Sequence, residues 1–162
     1  MTTDPTGTLD DFDWEIGSWT TTVNVLADPL SRGPDEWLHF TGTTVVKPLL
    51  NRRANVLEFD VSGPGGRIEA VSLRLFEPQA RRWSINFANI RNGLLTPAVY
   101  GGFDDGVGIF FGEDELNGRS VQVRFQIVLQ GPDEARFEQA YSDDGGTTWE
   151  ANWIAVDHRV DR

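Results

Sequence analysis

From Val121 to Gln130 the chain alternates: Val121, Val123, Phe125, Ile127 and Leu129 stand against Gln122, Arg124, Gln126 and Gln130. A period of two sends alternate side chains to opposite faces of an extended backbone, so this segment reads as a strand with one dry and one wet face. The same period runs through Trp19, Thr21, Val23 and Val25, and through Trp83, Ile85 and Phe87. Glycine clusters (Gly63-Pro64-Gly65-Gly66, Gly101-Gly102, Gly145-Gly146) punctuate these runs as turns do, and Asn117-Gly118 is a tight-hairpin signal. Reading on predicts about ten strands at the spacing of a sandwich or barrel. They fall near 18–27, 36–46, 54–62, 67–76, 81–89, 97–103, 107–113, 119–130, 134–142 and 147–157. Only Leu9 to Ile16 reads as helix, one or two turns opened by Thr8 or Asp10. The predicted class is all-β, with residues 1–8 as a loose tail and 9–162 as one domain.

Consecutive hairpins with short connections describe an up-and-down meander, and closing it removes the exposed edges. About eight to ten strands close into a barrel wide enough for one small ligand. No repeat of 40–50 residues is present, which excludes a propeller. Against 14 basic residues stand 25 acidic ones, a net charge of −11, so phosphate backbones and anionic membrane faces are repelled. There is no Cys, hence no disulfide, thiolate ligand or thiol nucleophile. The first ten residues carry neither a basic region nor an apolar run, and no apolar stretch approaches a membrane span, so a soluble cytoplasmic protein is expected.

Two short elements and several longer ones resemble known families. Gly17-Ser18-Trp19, opening the first strand, resembles the G-x-W element of lipocalins and other calycins. The resemblance implies that the Trp closes the barrel floor and that a basic residue after the last strand, here Arg159, packs across it. The T-D-Y motif of ordinary lipocalins is missing. Ser142-Asp143-Asp144-Gly145-Gly146-Thr147-Thr148-Trp149 matches the Asp-box pattern S-x-D-x-G-x-T-W. Physically this is a turn in which Asp144 accepts backbone N–H bonds, Gly146 takes a positive φ and Trp149 packs under the loop.

Longer stretches stand in order around these elements: Phe12-Asp-Trp-Glu-Ile-Gly-Ser-Trp19, Trp83-Ser-Ile-Asn-Phe-Ala-Asn89, Thr96-Pro-Ala-Val-Tyr-Gly-Gly-Phe103, Gly106-Val-Gly-Ile-Phe-Phe-Gly112, Ala135-Arg-Phe-Glu-Gln-Ala-Tyr141 and Glu150-Ala-Asn-Trp153. Together they resemble a bacterial calycin-like family of unknown function (lipocalin- or fatty-acid-binding-protein-like), over about residues 10 to 158. The resemblance implies a calycin-like β-barrel and supplies no reaction.

Metal and haem sites are poorly served. His39 with Glu58 and Asp60 is the one ligand set within reach, and its spacing demands no metal. The nitrobindins, a related barrel family, hold haem through a C-terminal His. His158 has a comparable place, yet Thr20-Thr21-Thr22 follows Trp19 where that family continues with glycines. His158 also shares parity with Glu150 and Asn152 rather than with Trp149 and Trp153. No metal and no cofactor are expected. There is no G-x-S-x-G elbow, and the runs Asp104-Asp105 and Glu113-Asp114-Glu115 read as exposed turns.

What remains is an aromatic interior with polar tips. If Val121, Val123 and Phe125 point inward, neighbouring strands present Trp83, Phe87 and Asn89, then Phe137, Gln139 and Tyr141, then Trp149 and Trp153. An apolar wall with a few hydrogen-bonding groups is the make-up of a small-molecule pocket. Trp83, Phe87, Phe125, Phe137, Tyr141 and Trp153 are the expected walls, and Gln139, Asn89 and Arg91 the polar contacts, with Arg91, Trp37 and His39 near the mouth. The leading expectation is a barrel that binds an apolar or aromatic molecule of polyketide, terpenoid or fatty-acid type. One alternative is a cofactor-independent cyclase, isomerase or dehydratase on the same scaffold, with Tyr141 or His39 as acid and Glu58 as base. The other is an interaction protein with a filled core. A homodimer is left open.

Overall fold

The structure is a computed structural model and describes residues 5–161. Ten strands follow one another: β1 (Gly17–Leu26), β2 (Trp37–Leu49), β3 (Ala54–Gly63), β4 (Gly66–Glu77), β5 (Arg82–Asn89), β6 (Val99–Asp104), β7 (Val107–Leu116), β8 (Arg119–Gly131), β9 (Glu134–Ser142) and β10 (Glu150–Asp161). Each is antiparallel to its neighbours in sequence, and β1 pairs with β10, from Ser18 opposite Asp161 to Val25 opposite Trp153. The sheet is therefore a closed up-and-down barrel. The expected strands are all present, and β10 starts later than expected because the Asp-box turn occupies 143–149.

The expected N-terminal helix is not formed. Leu9 to Ile16 contains only a 3-10 turn, Asp13–Glu15. Its hydrogen bonds run between residues three apart: Asp11 N to Thr8 O, Asp13 N to Asp10 O and Glu15 N to Phe12 O, at 3.0–3.2 Å. The Asp11 carboxylate accepts from Thr8 N and from Phe103 N, both 3.1 Å, which ties the turn to β6. Tight turns of this kind let Phe12 and Trp14 drop into the barrel end, where an α-helix would space them differently. Phe12 meets Trp83 edge-on at 4.9 Å and Phe103 at 5.2 Å. Of the expected tail, residues 1–4 lie outside the described residues, while Gly7 N donates to Arg81 O at 2.8 Å and Thr8 O accepts from Trp83 Nε1 at 2.9 Å.

Trp19 closes this end from below. Its indole donates to Glu15 O at 2.8 Å, and the Arg159 guanidinium lies 4.1 Å over its ring. Arg159 also donates to the carbonyls of Ile16 and Trp14, so one side chain clamps the first strand, the turn and the last strand together. The packing that the G-x-W resemblance implied for Arg159 is present. A cation over a tryptophan with its N–H groups committed to carbonyls is a strong local tie.

Inside, two clusters of buried apolar residues form: Phe12, Trp83, Ile85, Val99 and Phe110 with the β8 residues, and Val23, Phe40, Phe59, Val61 and Ala155. Phe137 packs against both.

Candidate functional site

Between the two clusters the barrel keeps a cavity of about 310 Å³. Phe59, Phe87, Phe125, Phe137 and Trp153 give its wall an aromatic stretch. Phe125 and Phe137 meet edge-on at 5.1 Å, and Trp153 stands 5.6 Å from Phe59 and 6.2 Å from Phe87. Period two on β8 and β9 delivers Phe125 and Ile127, then Phe137, Gln139 and Tyr141, to the same inner face.

Toward the end closed by the N-terminal turn, the wall becomes charged. Arg74 donates to both Glu15 oxygens, at 3.0 and 3.2 Å, and to Asn55 Oδ1 at 2.6 Å. All three side chains are buried, so the pair exists where an isolated charge would be costly. Beside it, Asp157 accepts from Thr21 Oγ1 at 2.5 Å, and Thr21 shares a 2.6 Å hydrogen bond with Thr44. Burial pushes the Asp157 carboxyl up to about 6; Thr21 and Arg74 hold it back, and the Glu15 charge adds to the rise. Asp157, Arg74, Glu15, Thr44 and Ser72 all line the cavity.

Toward the Asp-box end the polar groups are mostly neutral, with Asp114 as the charged one beside Tyr141. Gln139 Nε2 donates to Asn152 Oδ1 at 2.8 Å and to the Tyr141 hydroxyl at 3.4 Å. Asn152 owes its place to a β-bulge. Ala151 pairs with Ala140 and Trp153 with Gln139, so Asn152 is an extra residue. The bulge turns both Asn152 and Trp153 onto the cavity. Burial, and next the charge of Asp114, raise the Tyr141 phenol above its usual range, which keeps it protonated. Asp114 itself lines the cavity from β7, not from an exposed turn as expected, because β7 runs on to Leu116.

The bulge also corrects the expected place of Trp149. Parity reverses at Asn152, and Trp149 packs outside the barrel, 6.2 Å from Phe111 and with the Arg124 guanidinium 4.7 Å over its ring. The Asp box around it is a closed turn. Asp144 accepts from Ser142 Oγ at 2.8 Å, Thr148 N at 2.9 Å and Thr148 Oγ1 at 2.5 Å, which together hold its carboxyl down to about 2. Gly146 has φ +88, as the turn requires.

Of the expected site residues, Phe87, Phe125, Phe137, Gln139, Tyr141 and Trp153 come together on the cavity wall. Trp83 is fully buried but lies off the wall, opposite Gly101 and against Phe12. Asn89 ends β5 and builds a turn: its Oδ1 accepts from Arg91 N at 2.9 Å and its carbonyl from Gly93 N at 2.9 Å. Arg91 is exposed in that turn. His39 is on the outer face with Nδ1 2.8 Å from Asn24 Oδ1. Glu58 is also outside, 3.8 Å from Lys47 Nζ, and Asp60 is held by Arg67 at 2.9–3.0 Å. Trp37 is exposed and His158 pairs outside with Glu134 at 3.4 Å. Among the described residues no group of three or more His, Asp or Glu could hold a metal ion. Sequence reasoning missed Asp157, Arg74, Glu15 and Asn152.

No protein-family model matches the chain, and no curated protein sequence does. Solved structures do match. The chain is similar to the S-type phycobiliprotein lyase CPES from Guillardia theta, with 10% identity and a TM-score of 0.62 over 93% of this chain and 91% of that one. It is less similar to a redesigned β-barrel, with 10% identity, TM-score 0.48 and coverage of 96% and 99%. At that identity what is shared is the fold. No helix among the described residues is long and apolar enough to cross a membrane.

Proposed function

We propose that this chain is a calycin-like barrel that binds an apolar or aromatic small molecule inside its cavity. The observation that carries the reading is the cavity itself: about 310 Å³ lined by Phe59, Phe87, Phe125, Phe137 and Trp153 together with polar and charged side chains. Such a space speaks against a filled-core interaction protein and is of the size and make-up of ligand pockets. The likeness to a phycobiliprotein lyase supports the scaffold and adds no substrate. The test is native mass spectrometry of protein purified from its host, followed by titration with 2-ethylnaphthalene read by tryptophan emission. Saturable quenching at one molecule per chain is expected, since Trp153 forms part of the wall. An unsaturable or silent titration overturns the reading.

One observation favours a second reading, a cofactor-independent cyclase, isomerase or dehydratase. Asp157 places a carboxyl that holds its proton up to about 6 on the cavity wall, where it can donate to a bound intermediate. Tyr141 is a second protonated donor. His39 and Glu58, being on the outer face, do not reach the cavity. A co-purifying molecule released unchanged supports the carrier, and one released as product supports the enzyme.

A further inference from the structure

The bulge in β10 has a chemical consequence for what the cavity can hold. Asn152 is 3% exposed and its Nδ2 has no hydrogen-bond partner, although Oδ1 accepts from Gln139. A buried amide donor left without an acceptor gives up its hydration with nothing in exchange. Turning both amides over pairs Asn152 with Gln139 Oε1 and leaves the Gln139 NH2 as the uncommitted donor. Tyr141 accepts from Gln139, and among the described residues nothing accepts the proton of its own hydroxyl. This end of the cavity therefore offers neutral donors in the Tyr141 hydroxyl and the Gln139–Asn152 amide pair.

Among the described residues it also lacks a free positive charge. Two arginines line the cavity; Arg74 is bidentate to Glu15 and Arg136 lies 3.8 Å from Glu138. The charged group nearest Tyr141 in effect is Asp114, which is acidic. A ligand carboxylate placed here would meet Asp114 and lose its hydration without gaining a cation.

We infer that the Tyr141–Gln139–Asn152 cluster recognises a neutral carbonyl oxygen, so that the ligand is an apolar ketone, enone or ester and not a carboxylate such as a free fatty acid. The carbonyl lies against the Tyr141 hydroxyl, which the Gln139–Asn152 pair positions, and the apolar remainder against Phe137, Phe125 and Trp153. This rests on the pocket reading above and narrows it.

Three probes of nearly one shape separate the two. 2-Acetylnaphthalene, 2-ethylnaphthalene and 2-naphthoate are titrated against tryptophan emission at pH 7.5. The ketone is expected to bind roughly three- to tenfold more tightly than the hydrocarbon, the worth of a satisfied neutral hydrogen bond, and naphthoate more than about tenfold more weakly than the ketone. In Asn152→Leu and Tyr141→Phe the ratio of ketone affinity to hydrocarbon affinity should fall toward one. Tyr141→Phe removes only a hydroxyl and carries the test if Asn152→Leu does not fold. Equal binding of ketone and hydrocarbon, or tightest binding of naphthoate, overturns this inference and leaves the pocket standing. Binding of none of the three overturns both.

Discussion

Replacing Asp157 by Asn should stabilise the protein in neutral solution and do almost nothing in acid. In the unfolded chain this carboxyl ionises at its ordinary 3.8; in the barrel it holds its proton up to about 6, because burial disfavours the charge more than Thr21 and Arg74 favour it. Between those values the folded state binds more protons than the unfolded one, so stability falls as pH rises. Above pH 6 the fold carries an ionised carboxylate that it holds less favourably than water does. The difference of about two pH units corresponds to roughly 3 kcal/mol at ~1.4 kcal/mol per unit. Asn has nearly the same shape, keeps an oxygen to accept from Thr21, and has no charge to ionise. The assay is urea unfolding followed by tryptophan emission at pH 4, 5, 6 and 8. Asp157→Asn should gain up to about 3 kcal/mol at pH 8, with the gain appearing between pH 4 and 6. A gain independent of pH, or a loss at pH 8, would show that Asp157 ionises normally and refute the reasoning.

Other outcomes follow from the same structure. Arg74→Met leaves Glu15 buried without its cation and should cost about 3–5 kcal/mol in urea unfolding, whereas adding Glu15→Gln should recover a large part; a single variant as stable as wild type would contradict the buried pair. Asp144→Ala should speed amide exchange at Gly146 and Thr148 without changing probe affinity, since the Asp-box turn holds those groups and lies off the cavity wall. With the Asp144 carboxyl lowered to about 2, its contribution should be complete above pH 4 and be lost only as pH falls toward 2. Arg159→Met should lower stability by about 1–2 kcal/mol through loss of the contact with Trp19, seen as a lower urea midpoint; an unchanged midpoint would remove the clamp.

Within the site, legibility depended on whether a strand kept a simple period. On β8 and β9 it did, and Phe125, Phe137, Gln139 and Tyr141 were found from alternation alone. On β4 the hydropathy pattern is inverted: Ser72 and Arg74 are buried, while Leu75 is 43% exposed. Arg74 is stable inside only because Glu15 and Asn55, 59 and 19 residues away in sequence, meet it there. Asp157 was within reach, since it follows Trp153 and Ala155 at steps of two. Asn152 was not, because a bulge is one residue of extra backbone with no composition of its own.

The sequence by itself determined the ten strands, the antiparallel order, the Asp-box turn and the aromatic character of the interior, because period, turn residues and local hydrogen bonds are properties of neighbours along the chain. The register of β1 against β10, the parity reversal at Asn152, the buried Arg74–Glu15 pair and the raised Asp157 were decided only by tertiary structure. Each depends on which distant groups share a space from which bulk water is removed, and no stretch of sequence carries that.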